Sequence, residues 1–280
     1  MWLTSCRSHL SFKGDKMVID FHTHAFPDTL AERAIASLVK GAKGKYLPCS
    51  DGTVSGLLEN MEKFKVDISV VQPVITKVSQ TKTLNEWAKS ICSDKLISFG
   101  GIYPHTEDYK ADIDFVVSLG LKGLKFHPEY QNFEVYSERM LKIYDYALNK
   151  GLILLFHAGF DPAFEPPFHS SPRDFAKIAN ELRGGTIVAA HLGGQKMWDE
   201  VAEELAGSDV YLDTSMGFKY YTKEQFLKIL KIHGADKILF GSDSPWSSAD
   251  EEIEALKALP ITKEEKDKIL YKNAVKILGL

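Results

Sequence analysis

The chain is poor in cysteine. Cys6, Cys49 and Cys92 are widely scattered and form no CxxC pair, so the sequence offers no disulfide framework, and a reducing cytoplasm is the default compartment. No apolar run approaches the length of a membrane span. Charge of one sign is not in excess either: 34 Lys+Arg stand against 38 Asp+Glu, a formal net charge of -4. Without a basic stripe, nucleic acid and anionic membrane are not expected partners. Neither GxGxxG nor GxxxxGK[ST] follows any apolar run, which removes the usual argument for nucleotide binding. Internal repeats, low-complexity runs and linkers are missing too. The 280 residues therefore read as one large domain, with ample length for a core.

What is present is an alternation of short apolar, β-prone runs with amphipathic stretches. Strands are expected near 18–24, 68–73, 96–101, 121–127, 152–157, 186–191, 210–213 and 237–241. Helices are expected at 29–40, 53–64, 83–92, 108–119, 137–150, 171–182, 195–206, 223–233, 249–259 and 263–278. Asp28 reads as a helix N-cap, and Gly151 as a helix stop. Near-continuously apolar strands separated by helices imply a parallel sheet covered by helices. Eight such units favour a closed (β/α)8 barrel over a doubly wound open sheet. Residues 1–16 offer little to bury and lack the features of a signal peptide. They read as a loosely held extension, with Met17 an alternative biological start, and the barrel as 17–280.

The polar residues at the strand ends carry the chemistry. His22 and His24 alternate along the first strand and so share a face. His127 ends the fourth strand, His157 the fifth and His191 the sixth, and Asp243 follows the eighth. In a barrel those ends converge on one mouth. Imidazoles with a carboxylate suit zinc or a similar borderline divalent ion. His157 and His191 precede small residues that permit close backbone approach, which favours function. His127 reads equally as a strand cap. His105, His169 and His233 lie outside strand ends. Asp20, read as facing inward below His22, is either a partner that orients an imidazole or a buried structural acid. Lys125, on the face of His127, is expected to meet substrate, to become a carbamylated bridging ligand, or to pair with Asp20 or another acid.

In order along the chain, Asp20-Phe21-His22-Thr23-His24, Gly123-Leu124-Lys125-Phe126-His127-Pro128, His157-Ala158-Gly159, His191-Leu192-Gly193-Gly194, Gly241-Ser242-Asp243-Ser244-Pro245-Trp246 and Asn273-Ala274 resemble the amidohydrolase superfamily, in its amidohydrolase-related branch with the aminocarboxymuconate-semialdehyde decarboxylase-like enzymes. The resemblance implies a distorted (β/α)8 barrel holding a catalytic divalent metal, most often one zinc. It implies His22, His24, His157 and Asp243 as metal ligands, and His191 as the group that holds water or substrate. A second metal would follow from carbamylation of Lys125, with His157 and His191 then serving the second ion; Lys125 and His127 are the candidates for contact with a second metal or with substrate.

As a mechanism, a metal-bound water would attack a small amide, ester or lactone, with Asp243 carrying the proton and His191 stabilising the oxyanion. Non-oxidative decarboxylation or hydration of a small carboxylic acid is the alternative. A catalytically silent ligand-binding barrel is the rival from another class. The segment 160–169 is expected to select substrate, with Tyr103, Tyr130, Phe164, Met216 and Trp246 forming a partly aromatic pocket. Arg173 reads as a solvated helix start. The expected partner is a small molecule, and self-association into a homo-oligomer is left open.

Overall fold

The structure is a computed structural model and describes residues 17–280. The extension expected at residues 1–16 lies outside the described residues. Eight parallel strands follow in order: β1 (Ile19–Thr23), β2 (Ile68–Val71), β3 (Leu96–Ser98), β4 (Gly123–Phe126), β5 (Ile153–Phe156), β6 (Ile187–Ala189), β7 (Tyr211–Asp213) and β8 (Ile238–Leu239). Regular pairing runs between consecutive strands in two sheets, β1-β2-β3 and β4-β5-β6-β7-β8.

Two irregular seams close the ring. Gly100 N–H donates to Gly123 O at 2.8 Å and Lys125 N–H to Gly100 O at 2.9 Å, which joins β3 to β4. Phe21 N–H donates to Phe240 O and Asp243 N–H to His22 O, both at 2.8 Å, which joins β8 to β1. The result is a distorted (β/α)8 barrel.

Helices α1 (Asp28–Gly41), α2 (Val54–Phe64), α3 (Thr81–Ser90), α4 (Tyr109–Ser118), α5 (Pro128–Gln131) and α6 (Glu138–Asn149) accompany the first half. The second half carries α7 (Pro172–Glu181), α8 (Trp198–Glu200), α9 (Lys223–His233), α10 (Ala249–Ala258), α11 (Lys263–Asp267) and α12 (Asn273–Leu278). The helices expected at 195–206 and 263–278 pass into π-helical turns at Val201–Leu205 and Lys268–Lys272. Threonines cap α2 and α9: Thr53 accepts from Gly56 N–H, and Thr222 with Gln225 forms a capping box. Asp28 is not a cap. Pro27 occupies that position, and Asp28 becomes the first helical residue, where its charge complements the helix dipole.

The barrel interior is apolar below the mouth. Ile19, Phe21, Ile68, Val70, Phe99, Ile153, Leu155, Val188 and Leu239 form one buried cluster, joined by Ala274 and Leu278 of α12. Asn273 ties α12 to the start of β8 by donating to the carbonyls of Ala235 and Ile238, each at 2.7 Å.

One irregularity in β1 decides where its polar residues go. Asp20 pairs with Ser69 but Thr23 with Val71, so β1 holds one more residue than β2 over this stretch. That bulge lets Phe21 and His22 both reach the interior. Asp20 turns toward the helix layer, beside Leu57 and Met61 of α2. There it accepts from the Ser242 N–H at 2.9 Å and the Ser242 hydroxyl at 2.5 Å. The expectation that Asp20 faces the barrel interior is therefore corrected: strict alternation does not survive a bulge.

Candidate metal centre and substrate cavity

His22 and His24 are carried by the end of β1 and its first following residues. Asp243 arrives from the loop after β8 with φ 66°. This left-handed conformation is costly for a residue with a Cβ, roughly 1–3 kcal/mol. His191, Leu192 and Met216 share it, at φ 57°, 55° and 47°. Hydrogen bonds to the surrounding backbone hold the turn at Asp243: its N–H donates to His22 O and its carbonyl accepts from Trp246 N–H, both at 2.8 Å. Gly241 lets β8 approach this closely. A Cβ on Gly241 would sit 2.8 Å from His22 Cβ and 3.2 Å from Ser215 Cβ. Gly159 permits a second close approach, since at φ +82° its Cβ would meet Gln195 N at 2.5 Å.

His22 Nε2 lies 3.2 Å from His24 Nε2. Asp243 Oδ1 lies 3.1 Å from His24 Nε2 and 3.3 Å from His22 Nε2. The outer nitrogens face acceptors, Asp213 Oδ2 at 2.9 Å from His22 Nδ1 and the Gln72 carbonyl at 3.0 Å from His24 Nδ1. Each Nδ1 must then carry the proton, and each Nε2 presents a bare lone pair. Two imidazole lone pairs and a carboxylate oxygen turned on one another repel unless a cation lies between them, so this donor set fits a divalent metal.

The electrostatics agree. Burial first, and the neighbouring Lys125 charge second, lower the His22 pKa to about 4, which keeps its imidazole neutral and available as a ligand at neutral pH. Burial opposes the ionised form of Asp243, but contact with His24 and the proximity of His22 and His191 outweigh it and hold the carboxyl below its usual range. Burial lowers Lys125 to about 8, against the pull of Asp213 and Asp243. Its ammonium nitrogen lies 3.1 Å from His22 Nε2. Asp20 faces the opposite side of β1, so the expected pairing of Lys125 with Asp20 does not form.

His157 stands across from this group. Its Nδ1 lies 3.0 Å from His191 Nε2, and its Nε2 is buried without a hydrogen-bond partner. By proximity of donor atoms it groups with His127 and Asp161, while His22, His24 and Asp243 form the other group. The four residues expected to share one ion are thus divided three and one, all around the same cavity. His127 stacks on His157 with ring centroids 4.2 Å apart, and its Nε2 lies 3.3 Å from Asp161 Oδ2. Burial holds both imidazoles well below their usual pKa.

The cavity above these groups has a volume of about 470 Å³. Tyr130, Met216 and Trp246 line it, together with Phe26, Tyr46, Trp87 and Phe160. Two expected pocket residues do not. Phe164 packs edge-on behind Tyr130, with centroids 4.9 Å apart, and Tyr103 packs against His105. Both sit in post-strand loops, but a loop position fixes no direction for its side chain, and each found a ring to pack on. His105 faces the carbonyls of Gln131 and Asn132, His169 faces Glu129, and His233 accepts from Gly207 N–H. Arg173 pairs with Glu204 on the surface.

Two acids of this site received no role from the sequence. Asp161 lies within the expected substrate-selecting loop, with nothing local to distinguish it. Asp213 ends β7 at the same edge as the histidines, so the strand-end rule applied to β7 would have found it.

The amidohydrolase family model matches residues 19–280. An uncharacterised TIM-barrel protein from Bordetella bronchiseptica superimposes with TM-score 0.78 at 19% identity, over 94% of this chain and 99% of that one. A 5-carboxyvanillate decarboxylase from Novosphingobium aromaticivorans with bound manganese gives TM-score 0.72 at 13% identity, over 94% and 97%. A 2,6-dihydroxybenzoate decarboxylase from Rhizobium gives 0.69 at 14%, over 95% and 99%. A search of the curated proteins finds no match.

Proposed function

We propose, from the premise that the chain belongs to the amidohydrolase family, that it is a divalent-metal-dependent enzyme that releases the carboxyl group of a small, flat carboxylic acid as carbon dioxide. This places decarboxylation ahead of hydrolysis of an amide, ester or lactone, the reaction that the sequence put first. The observation that carries the reading is the pairing of a metal-competent group with the Lys125 ammonium beside an aromatic-walled cavity. Positive charge at one end anchors a carboxylate, and ring walls at the other accept a planar apolar body. The ring acids named for two of the similar structures share that shape.

His22, His24 and Asp243 would hold the metal, with His157 Nε2 as a further donor. One ion per chain suffices, and zinc suits imidazole and carboxylate ligands. A metal held there would supply Lewis acidity toward a substrate oxygen. Lys125 orients the substrate carboxylate. Asp243 and His191 handle the proton that replaces the carboxyl group on carbon, so that R–COO⁻ and H⁺ become R–H and CO₂. Tyr130, Met216 and Trp246 flank the substrate ring. Hydrolysis is the second reading, favoured by the carboxylate of Asp243 within the donor group, where it could take a proton from water.

Zinc- or manganese-loaded protein assayed with hydroxybenzoic acids, lactones and amides separates these. Carbon dioxide from the acids supports the lyase. Acid formed from a lactone with no carbon dioxide reverses the order. Metal binding with no turnover of any class favours a silent barrel.

A further inference from the structure

Asp213 does not itself line the cavity, yet it bonds two residues that do, His22 and His191. Its carboxylate is fully buried at the end of β7. Oδ2 faces His22 Nδ1 at 2.9 Å. Oδ1 accepts from the backbone N–H of His191 at 3.1 Å, from that of Ser215 at 3.0 Å, and from the Ser215 hydroxyl. We propose that Asp213 is a positioning residue: it dictates which nitrogen of His22 carries the proton and, together with the Ser215 carbonyl, which nitrogens of His191 and His157 do, and so turns two bare nitrogens toward the metal. The inference rests on the metal reading above and concerns how this chain prepares its ligands.

The deduction runs from one end to the other. An ionised carboxylate only accepts, so His22 must hold its proton on Nδ1 and leave Nε2 bare. Ser215 gives its hydroxyl proton to Asp213, so its oxygen can only accept from other partners. His191 Nδ1, 3.0 Å from that oxygen and 3.1 Å from the Ser215 carbonyl, must then be an N–H. His191 Nε2 is left bare, 3.0 Å from His157 Nδ1, which must donate to it. The proton of His157 therefore sits on Nδ1. Its Nε2 is the bare, buried nitrogen that has no partner. One carboxylate thus sets His22 directly, and through the Ser215 hydroxyl it reinforces the arm from His191 to His157 that the Ser215 carbonyl also holds.

Asparagine cannot replace it. All four groups facing Asp213 donate, and an amide has only one accepting atom, so its NH₂ must oppose either His22 or the His191 and Ser215 N–H groups. The carboxylate partner of a ligating histidine is typically worth 10–100-fold in metal affinity.

The test is zinc competition against a chromophoric chelator, with wild-type protein and the variants Asp213→Asn and Ser215→Ala. Asp213→Asn is expected to weaken zinc 10–100-fold, and Ser215→Ala, which removes the hydroxyl from the arm to His157 but leaves the backbone carbonyl on His191, less than Asp213→Asn. Unchanged affinity in a folded Asp213→Asn protein overturns the proposal. Wild-type protein that fails to bind zinc overturns the metal reading instead. Should Asp213→Asn not fold, long-range proton–nitrogen NMR of the metal-free wild type decides the matter. It should report Nδ1–H imidazoles for His22, His157 and His191, and an Nε2–H form at His22 or His157 sinks the idea.

Discussion

His22 and His24 turn their Nε2 atoms on each other at 3.2 Å while their Nδ1 atoms face outward to Asp213 and the Gln72 carbonyl. With the protons on Nδ1, the two Nε2 atoms have none to share with each other, and a cation between them relieves the repulsion. Protein stripped with a chelator should therefore unfold at a lower temperature than loaded protein. At zinc about 100-fold above its dissociation constant the stabilisation should be about 2.7 kcal/mol. Thermal unfolding with and without zinc checks this, and identical curves would argue against a site here.

Asp243→Asn keeps the side-chain shape but removes the charge beside His22 and His24 and the carboxylate assigned to proton transfer. Turnover should fall by roughly 10²–10⁴-fold, the usual worth of a general acid or base. Steady-state rates on metal-saturated variant and wild type measure it. Wild-type turnover would refute the assignment.

Gly241→Ala should be damaging although the residue has no side chain of its own. The added methyl would lie 2.8 Å from His22 Cβ, so β1 and β8 must separate at the metal group. A loss of about 1–3 kcal/mol in urea unfolding is expected. Zinc content by elemental analysis should drop with it.

Glu252, which is not among the metal-competent residues, gives a pH signature of its own. Burial raises its carboxyl to about 7, against hydrogen bonds from the Ser247 hydroxyl and the Phe218 N–H. Between about pH 4.5 and 7 the unfolded chain gives up this proton while the folded protein keeps it, so the folded state binds more protons. Stability should then fall as pH rises through that window, by up to roughly 3 kcal/mol. Urea midpoints at pH 5 and 7.5 should differ less in Glu252→Gln than in the wild type. An equal difference in both would exclude Glu252 as the source.

The elements were legible because each is a local pattern. Ile153 to Phe156 is an unbroken apolar run, and Lys223 to His233 carries helical spacing behind a Thr-to-Gln capping box. His22, His157, His191 and Asp243 stood out because a polar group at the end of such a strand needs a reason to be there. Tyr103 and Phe164 show where this rule stops, since a loop residue has no periodicity to aim it. Asp20 fails for a related reason: the bulge that reverses it is set by pairing with β2, 48 to 49 residues away in sequence.

The sequence by itself determined eight apolar strands, the helices between them and a ring of metal-competent side chains at one end, because hydrophobic period and turn chemistry act within a few residues. Only the tertiary structure decided the division of His157 from His22, His24 and Asp243, the outward turn of Asp20 and the hub at Asp213. Those depend on the register of neighbouring strands and on which atom of each imidazole meets an acceptor. Contacts between residues far apart in the chain fix both, and no local pattern encodes them.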